Sequence, residues 1–187
     1  MSTSFTTDRM AETSLDLRGK TITTFIMYEV RRALREREVG DRIAFITDSF
    51  PAIEPDVAAW CRSTGNQLVE VVVEGESQRF VIERGPDKES EHKLALIVSD
   101  DGLFELLSPL GFALASALEG DEVSIYFLGT AVRILSKGHV TKAHGLMRPI
   151  SRFPRAGLAK AGHVVPQEKV AQLQELGARI YACGPSM

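Results

Sequence analysis

Apolar and polar positions follow two rhythms along this chain, and each change of rhythm marks a new element. Leu15 and Leu17 flank Asp16 in a short strand pattern. Across residues 22–37, Ile26, Met27, Val30, Ala33 and Leu34 recur at helical spacing, with basic residues on the other face. Gly40-Asp41 ends that helix. Residues 42–47, rich in Ile and Phe, read as a strand. Pro51 and Pro55 open a second helix that carries Val57, Ala58, Trp60 and Cys61, and Gly65-Asn66 closes it. Residues 67–74 and 78–83 are two strands joined by the hairpin signal Glu74-Gly75-Glu76-Ser77. The order is βαβαββ, which predicts a small sheet with two helices on one face.

A second pattern begins near residue 93. Leu94, Ala95, Leu96, Ile97 and Val98 form a continuous apolar run, the mark of a parallel strand buried on both faces. A helix over 103–118 follows, with a break expected at Pro109-Leu110-Gly111. A strand over 122–128, a short helix from Gly129-Thr130 through Leu135, a helix over 166–176 and a strand over 178–183 complete it. Alternating strands and helices predict a doubly wound, mostly parallel α/β domain. Between the two patterns, Gly85-Pro86-Asp87-Lys88-Glu89-Ser90-Glu91 is charged and lacks hydrophobic residues, which is linker composition. The expected layout is a disordered leader over 1–12, a first domain over 13–84, a linker over 85–92 and a second domain over 93–187.

The thiol at the end of the last strand changes the picture. Cys183 stands in Ala178-Arg179-Ile180-Tyr181-Ala182-Cys183-Gly184-Pro185. The carboxyl end of a parallel strand is where α/β sheets place ligands and chemistry. Gly184-Pro185 suits a turn into a helix, and a thiol at a helix N-terminus has a lowered pKa. The alternative is a buried structural cysteine. For Cys61, beside Trp60 in a helix, core packing is the expected role.

Charge adds a second clue. The net charge is −3, yet residues 1–122 hold 23 of the 25 acidic residues against 13 basic ones. Residues 123–167 carry no carboxylate side chain. They carry Arg133, Lys137, Lys142, Arg148, Arg152, Arg155 and Lys160, with His139, His144 and His163. Such a segment suits an anion or an acidic partner, or it is a solvated loop balanced by the acidic half. The three histidines are either proton partners for a nearby thiolate or exposed loop residues. Their spacing is not a metal motif.

The remaining composition excludes other classes. Hydrophobic content of 44% and charged content of 25% are ordinary for a globular protein. No apolar run approaches the ~20 residues that span a bilayer. Two cysteines do not make a disulfide scaffold, which points to the reducing cytoplasm. There is no phosphate-binding Gly-rich loop, nucleophile elbow or Cys-x-x-Cys, and no cofactor is called for. From Arg133 to Lys160 the basic segment has one aromatic residue, Phe153, which argues against nucleic acid.

Two resemblances follow from these motifs. Leu15-Asp16-Leu17-Arg18-Gly19, the helix, Gly40-Asp41, the strand, Asp48, Trp60-Cys61 and the hairpin resemble the TusA-like (SirA-like) sulfur-carrier domain over about residues 13–84. The family motif continues with Cys-Pro-x-Pro where this chain has Ile22-Thr23-Thr24-Phe25. The carrier cysteine falls on Ile22, so the resemblance implies the fold without the carrier thiol.

Residues 93–100, the helix, residues 121–128 and residues 177–183 resemble the DsrE/DsrF-like sulfur-relay family over about residues 92–187. That resemblance implies that Cys183 accepts and passes on sulfane sulfur as a persulfide. It also implies homo-oligomers, and sulfur donor and acceptor proteins as partners. Family members continue through a further helix, so a chain shortened after Met187 is one reading. Arg148, Arg152, Arg155 and His144 are the candidate residues of a basic lid over Cys183. The alternative is a non-catalytic binding or scaffold protein that uses both domains for interaction.

Overall fold

The computed structural model describes residues 13–88, 92–136, 138–139, 141 and 165–184. The first half contains β1 (Thr13–Asp16), α1 (Thr23–Arg35), β2 (Arg42–Asp48), α2 (Ile53–Thr64), β3 (Gln67–Glu74) and β4 (Ser77–Glu83). Its sheet runs in the order β1-β2-β4-β3. β1 and β2 are parallel, joined through α1, and the other neighbours are antiparallel. Ile43, Phe45, Phe80 and Ile82 alternate along β2 and β4 into the core. There they meet Ile26, Val30 and Leu34 of α1 and Ile53, Val57 and Trp60 of α2. The Phe45 and Phe80 rings stack with centroids 4.9 Å apart.

The second half contains β5 (Lys93–Val98), α3 (Leu103–Glu119), β6 (Glu122–Phe127), a 3-10 helix (Gly129–Leu135), α4 (Pro166–Glu175) and β7 (Arg179–Ala182). The three strands are parallel in the order β5-β6-β7. The α/β class expected from the alternating pattern is the one observed. α3 and α4 pack against each other beside this sheet, where Leu106, Leu110, Val170 and Leu173 are buried together.

Three local expectations changed. The break at Pro109 does not occur: α3 runs through it from Leu103 to Glu119. An interior proline costs about 3 kcal/mol. Burial of Leu106, Leu110, Ala113, Leu114, Ala117 and Leu118 on the same helix outweighs that, since each large side chain contributes roughly 1.5–3 kcal/mol. Among the described residues, β5 is covered on one face only: Val98 is buried, whereas Ile97 is 69% exposed. Tyr126 and Tyr181 stack on that open face, centroids 4.7 Å apart. Finally, the start of the charged linker is pinned to the first half. The Gly85 N–H donates to Asn66 Oδ1 at 3.0 Å, and a Cβ on Gly85 would lie 1.7 Å from the Gly65 carbonyl oxygen.

The two helix layers pack against each other between the two sheets. The buried apolar residues of both halves form one continuous cluster. Polar bonds stitch the seam. Arg31 Nη1 donates to the carbonyls of Ala117, at 2.9 Å, and Leu118. Trp60 Nε1 donates to the Leu118 carbonyl at 3.0 Å. Arg35 donates to the Glu175 carbonyl and the Tyr28 hydroxyl to the Glu175 carboxylate. Within the second half, Lys169 Nζ, nearly buried, donates to the Leu107 carbonyl at 3.1 Å and ties α4 to α3.

Leu114 is fully buried in α3. Leu114→Ala is expected to lower stability by about 2–5 kcal/mol. Because the core is continuous, urea unfolding followed by Trp60 fluorescence in the first half and by circular dichroism over the whole chain should shift as one transition. Two separated midpoints would show that the halves unfold independently.

Candidate functional site

The carboxyl edge of the second sheet gathers the end of β7, the end of β6 and the turn after β5. The Cys183 N–H donates to the Phe127 carbonyl at 2.9 Å, extending the β6-β7 ladder one residue past β7. This holds the Cys183 backbone in place while its side chain is only partly buried. On the other side of β6, the Leu128 N–H donates to the Val98 carbonyl at 2.8 Å. Gly129 then turns with φ +53, and a Cβ there would approach the Ser99 carbonyl to 3.2 Å. Asp100 Oδ1 accepts from the Gly102 N–H at 2.7 Å, an Asx-type turn leading into α3.

Asp101 brings part of the basic segment to the same edge. Its carboxylate lies 3.4 Å from His139 Nε2 and 4.0 Å from Arg133 Nη1, and is mostly shielded from solvent. The His139 contact is one of proximity, because Nε2 is buried without a hydrogen-bond partner. The His139 carbonyl accepts from Gln167 Nε2 at 2.9 Å, which ties this segment to α4. Cys183 and the Asp100-Asp101 turn follow strands two apart, a lateral offset of roughly 10 Å. Arg148, Arg152, Arg155 and His144 lie outside the described residues. Among the described residues, no group of three His, Cys, Asp or Glu side chains is placed to hold a metal ion.

The two thiols differ physically. Cys61 is 2% exposed in α2 and packs in the core. Burial pushes its thiol up to about 12. The thiolate is the nucleophile, so Cys61 is silent at neutral pH.

The first half has a structured loop ahead of α1. The Asp16 carboxylate accepts from the Arg18 side chain at 2.9 Å. Those bonds hold its pKa down to about 2. The Gly19 N–H donates to Asp48 Oδ2 at 2.7 Å. Ile22 caps α1 with no side-chain hydrogen bond and packs against the core. Next to it, Thr23 Oγ1 donates to Asp56 Oδ2 at 2.8 Å.

Sequence reasoning missed the role of two residues here. Arg31 falls only within the basic face of the first helix, although its i, i+4 spacing with Arg35 is visible. Asp101 carries no role in the sequence pattern.

Fold and site together describe an α/β protein with a four-stranded sheet in its first half and a partly buried thiol at a strand end in its second. Residues 26–84 match the family model described as Sulfurtransferase TusA. The match begins after Phe25, so Ile22 lies outside it. Curated proteins give no match to the chain. Among the described residues, no helix is long and apolar enough to cross a membrane.

The state of Cys61 has a consequence for pH. Its folded pKa is raised above the ordinary thiol range to about 12. Its contribution is therefore complete below about pH 9 and is lost as pH rises toward 12. Urea titrations across that window should show stability falling, and Cys61→Ala should flatten part of the fall. An unchanged slope would contradict the burial of the neutral thiol.

Proposed function

We propose that the protein is a cytoplasmic sulfur-relay protein that carries sulfane sulfur as a persulfide on Cys183. The observation that carries this reading is the pairing of a sulfurtransferase-family match over residues 26–84 with a single accessible thiol at a parallel-strand terminus. The step is a thiol exchange. The Cys183 thiolate attacks the outer sulfur of a donor persulfide. The donor S–S bond breaks, the donor thiolate leaves, and Cys183 becomes the persulfide. The exchange is redox-neutral, and the reverse attack by an acceptor thiolate passes the sulfur on.

In this reading the second half acts as a DsrE/DsrF-like module and the first half serves docking or assembly. Sulfur donor and acceptor proteins are the partners, and the protein works as a homo-oligomer. Arg148, Arg152, Arg155 and His144 supply positive potential over the thiolate. Light scattering tests the oligomer: a monomer at every concentration counts against it.

A second reading is favoured by one observation, Ile22 in place of the carrier cysteine. The protein is then a scaffold that uses both halves for interaction and loads no sulfur.

One experiment separates the two. After incubation with a low-molecular-weight persulfide donor, intact mass should rise by one sulfur atom, and Cys183→Ser should abolish the gain while Cys61→Ser keeps it. A thiol reagent should also label Cys183 before Cys61. A sulfur gain that survives Cys183→Ser, or equal labelling of the two thiols, moves the assignment to the scaffold.

A further inference from the structure

A cavity of about 460 Å³ opens where the helix layers of the two halves meet. Four cationic side chains line it: Arg31 and Arg35 from α1, and Arg84 and Lys88 from the chain leaving β4. Two carboxylates, Asp87 and Glu119, line it as well. The volume falls within the range of small-molecule sites, which favour such seams.

Helix capping explains part of this cluster. Arg31 serves the last carbonyls of α3, Arg35 a carbonyl at the end of α4, and Arg84 the carbonyls of Arg35 and Arg37 at the end of α1. Capping does not explain the surplus of charge. The pair from Arg84 to Asp87 is 3.5 Å long, with the Asp87 side chain 93% exposed, and such pairs are weak. Lys88 caps no helix end. Burial, and then the neighbouring Arg35 charge, makes Arg31 give up its proton more readily than usual. A ligand anion between the two guanidinium groups relieves that repulsion.

We propose that this cavity binds a small phosphate-bearing anion, held by Arg31, Arg35, Arg84 and Lys88. Two features select the chemistry. The four cations exceed the two carboxylates by two charges, which a doubly charged phosphoryl group matches and a monocarboxylate does not. Guanidinium forks present paired donors suited to phosphate oxygens. The volume leaves room for a diphosphate or an organic phosphate beyond the bare ion. Occupancy braces α1 and the end of β4 against the end of α3, and so stabilises the contact between the halves. This site is independent of Cys183.

Trp60 lines the cavity and is the sole tryptophan of the chain. Its fluorescence reports occupancy directly. Pyrophosphate, orthophosphate and ADP are titrated separately, with sodium chloride at matched ionic strength and succinate as controls. A saturable change with pyrophosphate, together with a rise in melting temperature, is expected. ADP matching pyrophosphate marks an organic phosphate as the ligand, whereas orthophosphate matching it marks the free ion; either supports the site.

Lys88→Glu should weaken pyrophosphate by about tenfold or more. Lys93→Glu, an equal charge change on the second sheet, should leave it unchanged. Lys88→Gln repeats the test without introducing a carboxylate. The proposal is overturned if no phosphate species saturates the signal, if chloride reproduces the change, or if succinate binds and phosphates do not. Equal affinity in both Lys88 variants overturns it too.

Discussion

The structure depends on satisfying helix carboxyl ends inside a seam between two sheets. α1, α3 and α4 finish close together, and each leaves carbonyls without intrahelical partners. In water those groups would be solvated. Here Arg31 and Trp60 bond the last turn of α3, Arg35 bonds the last turn of α4, and Arg84 bonds the last turn of α1. A buried carbonyl left unpaired costs roughly 1–3 kcal/mol. The cationic donors also oppose the negative end of each helix dipole. Arg31, Arg35 and Trp60 reach across from one half to the other, so these capping groups are also the stitches. The halves share one apolar core because the polar ends of their helices have been provided for.

This constraint changes what the first half can do. Where the TusA-like pattern has a carrier thiol, Ile22 stands at the start of α1 and packs against the core. The outward face of α1 is occupied by α3 rather than left open to a partner. Arg31, Tyr28 and Arg35 all lie on that occupied face. The loop with Asp16, Arg18 and Gly19 still holds its shape through Asp48. The loop keeps its geometry, while α1 has a structural partner in the second half.

Much of the fold was legible, because the apolar periods of 2 and 3.6 residues change at glycines and prolines that do set boundaries here. Gly65 and Gly120 end α2 and α3 in the left-handed region, and Pro166 begins α4. The failures share one cause: local rules cannot see a distant partner. Pro109 should break a helix, but seven buried residues on α3 hold it straight. The run at β5 reads as buried on both faces, yet the described helices cover only one. Arg31 reads as solvated until α3 arrives some 86 positions later to accept its bonds. Within the site, Cys183 was legible because strand ends announce themselves. The contact between Asp101 and His139 was not, being closed by the fold across the 3-10 helix.

The two cysteines show how position alone divides one chemistry. Both are single thiols in a chain with no disulfide pattern. Cys61 faces the layer between helix and sheet, where removing a thiolate from water is costly and the neutral thiol persists to about pH 12. That thiol is a small apolar side chain in practice, and Ala or Val would fill the same space. Cys183 extends a ladder past the end of its strand, with its backbone held by the Phe127 carbonyl and its side chain part-way into solvent. The Cys183 thiol is fixed at its backbone and only partly covered by the core it packs against. It lies at the far sheet, and the arginine seam holds that sheet in fixed relation to the first.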